Sequence, residues 1–112
     1  MNLTTEKTDN GISIIRLEGD VMGGPEATKL NEEINRMLDA GSLRVIIDLS
    51  EVNRMNSSGL GILINALKTY EQNGGELKLC GPTPLVHNLL KITRLTNVFE
   101  VYDTEDAAIN SF

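Results

Sequence analysis

Arg44-Val45-Ile46-Ile47-Asp48-Leu49, then Ser50-Glu51-Val52-Asn53-Arg54-Met55-Asn56-Ser57-Ser58, then Gly59-Leu60-Gly61-Ile62-Leu63: this stretch decides how the chain folds. Its first six residues are a β-branched, nearly continuous apolar run, too short for a helix. Such a run predicts a central strand covered by other elements. Leu60, Leu63, Ile64, Leu67 and Tyr70 then recur at helical spacing. They predict a helix from about Ser58 to Gln72, stopped by Asn73-Gly74-Gly75. Between the two, Ser50 to Ser58 reads as a polar connection with one apolar pair, Val52 and Met55.

Outward from this stretch the alternation continues. Upstream, Asn10-Gly11 predicts a type I′ hairpin turn between Leu3–Thr8 and Ile12–Leu17. Gly23-Gly24-Pro25 opens a helix that Gly41 ends, since proline suits the first turn and glycine the position past the last. Ala27, Leu30, Ile34 and Leu38 mark its buried stripe, with Lys29, Glu32, Glu33 and Arg36 facing water. Downstream, Glu76–Cys80 alternates as a strand and Gly81-Pro82 breaks it. Thr83 caps a third helix with Pro84 near its start and Val86, Leu89, Leu90 and Ile92 as its apolar face. Val98–Val101 is a last short strand, and Thr104-Glu105-Asp106 opens a final helix to about Asn110. The predicted order is β-β-α-β-α-β-α-β-α. The fold class is α/β, with a mixed sheet of four or five strands and about four helices. The first pair is antiparallel, and each later helix is a right-handed crossover between parallel strands.

The 112 residues suffice for a single domain, 1–112. Hydrophobic residues make up 40% and charged residues 23%, which predicts a folded core rather than disorder. No apolar run reaches the roughly 20 residues that span a bilayer, and no signal peptide is visible, so a cytoplasmic protein away from membranes is expected. A net charge of −6 and scattered basic residues argue against nucleic-acid binding. One cysteine, Cys80, and one histidine, His87, exclude a disulfide and multi-Cys or multi-His metal sites. The chain has neither C-x-x-C nor a glycine-rich phosphate loop, so no catalytic residue, metal or cofactor is expected. Cys80 reads as a small buried hydrophobe and His87 as a surface or half-buried helix residue.

The chemistry concentrates at Asn56-Ser57-Ser58-Gly59-Leu60-Gly61. Asn56, Ser57 or Ser58 could each cap the helix, worth about 1 kcal/mol. Two glycines so near a helix start cost about 1 kcal/mol each relative to alanine. They make sense where something approaches the backbone closely. A helix N-terminus also favours an anion, so a serine there could carry a phosphate. Asp48 at the end of its strand could orient this loop, and Asp20 could lie on the same rim, where ligands of open α/β sheets gather. Met22 and Met55 could form an adaptable partner surface, or Met55 could pack in the core.

These residues resemble the anti-sigma factor antagonists among the STAS domains. The resemblance covers nearly the whole chain. It is most specific from Asp48-Leu49 through Met55–Gly61, with support from Glu18-Gly19-Asp20 and Asn73-Gly74-Gly75-Glu76-Leu77. In that family a D-S-[ST]-G-L-G segment carries a regulatory phosphoserine, which maps to Ser57, with Ser58 the second choice. Asn56 stands where the family usually has an acid. The resemblance implies a monomer that binds an anti-sigma factor serine kinase and so frees a sigma factor. Phosphorylation of Ser57 would end the binding and a serine phosphatase would restore it. Asp20, Met22, Asn56, Ser57, Ser58, Gly59, Leu60 and Gly61 are the expected partner-binding residues. The rival reading is a STAS scaffold or sensory-complex module that is never phosphorylated.

Overall fold

A computed structural model describes residues 1–112. Its strands are β1 (Asn2–Lys7), β2 (Ser13–Val21), β3 (Arg44–Met55), β4 (Glu76–Cys80) and β5 (Val101–Tyr102). The helices are α1 (Pro25–Asp39), α2 (Ser57–Gln72), α3 (Pro84–Ile92) and α4 (Glu105–Asn110), with a 3₁₀ turn at Leu95–Asn97. The sheet runs β1-β2-β3-β4-β5. β1 is antiparallel to β2, and every later pair is parallel. The expected order of elements and mixed sheet are therefore present.

The apolar run on β3 is buried on both faces, and its period of two divides it between two cores. Val45, Ile47 and Leu49 join Ile15 and Leu17 against α1, α2 and α3, which contribute Leu30, Ile34, Leu63, Leu67, Val86 and Leu90. Ile46 points the other way, with Ile12, Ile14 and Cys80, and is covered by Ala108 of α4. Fully burying an Ile or Leu side chain contributes about 1.5–3 kcal/mol, so the larger cluster is the main source of stability.

Five expectations are corrected. The Asn10-Gly11 turn is not type I′. Only Gly11 has positive φ there, and its N–H donates to Thr8 O at 3.0 Å, leaving Asp9 and Asn10 in the turn. That is the longer hairpin loop with a glycine bulge. Residues 50–55 are strand rather than connection. β2 extends to Val21 and pairs with them, Gly19 opposite Val52 and Val21 opposite Met55, through two register shifts. The shifts explain why the apolar residues Val52 and Met55 sit three apart, which hides a strand from a period-two reading. The buried stripe of α1 is Leu30, Ile34 and Met37, with Leu38 only half-buried. Finally, Ile92 lies off the apolar face of α3, 70% exposed, because six positions past Val86 is the far side of the helix. The last strand is likewise Val101–Tyr102 rather than Val98–Val101, starting three residues later, since Val98 closes the 3₁₀ turn with its N–H on Leu95 O.

Candidate functional site

The site lies where β2 and β3 end side by side and hand over to helices. Asp20 is in register with Arg54, and Val21 with Met55. The Asp20 carboxylate accepts from Arg54 Nη2 at 2.8 Å, and that guanidinium holds the carboxyl below its ordinary range. Met22 follows and is 42% exposed, its backbone N–H donating to Glu26 Oε2 at 2.7 Å. Arg54 is a rim residue that motif reading passed over; its register opposite Asp20 depends on the bulges, which leave no local signal.

Asn56 is the N-cap of α2, its Oδ1 accepting from Gly59 N at 2.9 Å. The carboxamide thus does the capping an aspartate would do, without a charge. Ser57 and Ser58 become the first two helical residues, and both are exposed. No acidic residue stands in the first turn. N–H groups at that end of a helix lack intrahelical acceptors and carry partial positive charge. A phosphate on Ser57 would meet a favourable field.

Two of the expected surface residues have a different employment. Gly59 is buried because α2 starts against the end of β2. A Cβ there would sit 2.0 Å from Val21 O and 2.8 Å from Met55 Cγ. Leu60 is 3% exposed and belongs to the main core, as does Met55 at 7%. Gly59, Leu60 and Met55 hold the rim in place rather than face a partner. Gly23 explains the approach from the other loop. At φ 101° it brings the β2–α1 turn so near Ser58 that a Cβ would lie 2.8 Å from Ser58 Cβ. Gly61 differs from Gly59, being exposed with nothing within 4 Å of a would-be Cβ. Packing gives it no reason to be glycine.

Asp48 does not orient this rim. Its Oδ1 accepts from the N–H of Ser50 at 2.8 Å. Its carboxyl faces Glu105 of α4 on the opposite side of the sheet, and burial followed by that neighbour pushes its pKa up. Arg16 grips Glu105 with Nε–Oε2 at 2.8 Å and Nη2–Oε1 at 2.9 Å, holding Glu105 down at about 2. Cys80 is 1% exposed, and burial pushes its thiol up to about 12, a packed rather than reactive sulfur. His87 is exposed on α3.

A two-loop rim with a helix-initiating serine pair thus stands at the carboxyl end of a mixed α/β sheet. Residues 4–108 match the family model described as STAS domain. The chain belongs to that family. It is 31% identical over 113 residues to the anti-sigma F factor antagonist of Paenibacillus polymyxa, covering 97% of this chain and 94% of that one. It is also 32% identical over 104 residues to the anti-sigma-B factor antagonist of Staphylococcus aureus, covering 90% of this chain and 94% of the relative. The fold matches that of the anti-sigma factor antagonist SpoIIAA in its unphosphorylated form, with a TM-score of 0.81 at 22% identity over 98% of this chain and 95% of that one. No helix of the chain is long and apolar enough to cross a membrane.

Proposed function

We propose that this chain is an anti-sigma factor antagonist switched at Ser57. Unmodified, it docks its β2–α1 and β3–α2 rim on an anti-sigma factor that is a serine kinase, and the sigma factor is freed. The kinase then transfers the γ-phosphoryl group of ATP to Ser57 Oγ, releasing ADP and the hydroxyl proton. A serine phosphatase hydrolyses the ester and resets the cycle. The protein acts as a cytoplasmic monomer and catalyses nothing itself.

One observation carries this reading: Ser57 is an exposed first residue of α2, directly after the Asn56 cap, where β3 ends in register with β2. The names of the relatives support the partner class, and SpoIIAA is described in a phosphorylated form as well. Phosphate adds about −1.5 to −2 charges and three acceptor oxygens. Since α2 accommodates it, the effect falls on the docking surface, formed by Asp20, Met22, Asn56, Ser57, Ser58 and Gly61. Repulsion and bulk worth about 3 kcal/mol weaken binding more than 100-fold.

The test is calorimetric binding of the cognate kinase to wild type, Ser57→Ala and Ser57→Asp, with peptide mapping after incubation with ATP. Wild type and Ser57→Ala bind alike, Ser57→Asp at least 100-fold more weakly, and phosphate appears on Ser57. Equal binding of Ser57→Asp would sink the switch and leave the unphosphorylated scaffold. Phosphate on Ser58 alone would move the site by one residue.

A further inference from the structure

The opposite end of the sheet holds a second feature, independent of the switch. Where β1 ends and β2 begins, a cavity of about 230 Å³ opens beneath the C-terminal end of α1. Lys7, Thr5 and Ser13 line it from the strands, and Arg36 and Ser42 from the helix and the turn beyond, over an apolar floor of Met37 and Ala40. Lys7 and Ser13 are cross-strand partners, so their side chains share a face. No carboxylate lines this cavity, in a chain whose net charge is −6. The other cavity, of about 140 Å³ between α2 and β4, is lined by Glu71, Glu76 and Glu100 and has the opposite character.

Two details mark this as a built site. Ser13 and Ser42 are 3% and 5% exposed and both line the cavity, and no buried side-chain polar atom of the chain lacks a partner. What access these two side chains keep is through the cavity, where a ligand can reach them. The backbone around Ser42 is fixed, with its N–H on Met37 O at 2.9 Å and its carbonyl accepting from Tyr70 OH at 3.1 Å. The terminal carbonyls of α1 are also occupied, Arg36 O and Leu38 O by the N–H groups of Ala40 and Gly41. The negative end of that helix is therefore largely satisfied by its own chain.

We propose that this cavity binds a phosphate group, either free or terminal on a small metabolite. Lys7 and Arg36 supply charge, and the hydroxyls of Ser13, Ser42 and Thr5 supply neutral donors to the remaining oxygens. A tetrahedral dianion offers enough acceptors for such a set; a carboxylate has only two oxygens. Arg36 is paired with Glu33, so a bound phosphate competes with that carboxylate.

Amide NMR shifts during titration with inorganic phosphate, against chloride at matched ionic strength, test the site. Saturable shifts are expected at Lys7, Ser13, Ala40 and Ser42. Lys7→Gln and Arg36→Gln, both at exposed side chains, should each weaken binding about tenfold while leaving the rest of the spectrum unchanged. Glu33→Gln should tighten it. Glycerol phosphate distinguishes the sources: tighter binding than inorganic phosphate assigns the site to a metabolite, equal binding to free phosphate. Absence of saturation with both, or shifts unchanged in Lys7→Gln and Arg36→Gln, would overturn the proposal.

Discussion

Two glycines two residues apart do opposite work. In the sequence Gly59 and Gly61 carry one meaning, a close approach to the start of α2. The structure gives the approach to Gly59 alone, against Val21 O. That contact is long-range and created by register shifts, so local sequence could not separate the pair. Gly59→Ala forces α2 off β2 and should cost upward of about 1–3 kcal/mol in a denaturant melt. Gly61→Ala meets open space and gains helix propensity, so it should stabilise by about 1 kcal/mol. On the proposed function the same variant, although more stable, binds the kinase less well, because its methyl stands on the docking face. A stabilised Gly61→Ala with undiminished binding would remove Gly61 from that face. The place of Ser57 at the start of α2 was legible to within a residue, and Asn56 was among three candidate caps that only the fold could resolve.

At the scale of elements, helix periodicity was the most legible signal and strand length the least. α2 and α4 start within a residue of where caps and apolar spacing put them. β3 runs to Met55 because bulges break its alternation while β2 still supplies pairing. Attachment of α4 to the sheet was illegible, since it rests on Arg16, Asp48 and Glu105 from three distant segments. It has a consequence for pH. Glu105, held down at about 2 mainly by Arg16, contributes stability that is full above its ordinary 4.5 and is lost as pH falls. Asp48, pushed up by burial and then by Glu105, contributes in the reverse sense: its stability is full below 3.8 and is lost as pH rises through the folded value. Asp48→Asn keeps an acceptor for Ser50 N–H and presents an amide donor to Glu105. It should melt at a higher temperature than wild type at neutral pH, and the gap should close as the pH approaches 3.8. A gap independent of pH would mean that Asp48 is not the titrating group.

For the whole molecule, the question is whether a switch at Ser57 needs the fold to change. The chain already carries −6, and a phosphate brings it to about −8, which by general repulsion favours expansion. Against this stand three local facts: α2 has no acid in its first turn, Asp20 beside it is neutralised by Arg54, and the cores lie behind Leu60 rather than at Ser57. Negative charge at a helix N-terminus is worth about 0.3–1 kcal/mol in favour of the fold, enough to offset a distant, screened repulsion. Ser57→Asp should therefore melt at or slightly above the wild-type temperature. It should also retain the wild-type phosphate affinity at the far cavity, since that site shares no residue with the rim. Thermal melts with and without inorganic phosphate read both quantities in one experiment, because a ligand bound only by the folded state raises Tm by mass action. A lowered Tm in Ser57→Asp would mean that the modification acts by loosening α2. The loss of partner binding would then be a folding effect rather than one of charge and bulk at an intact surface.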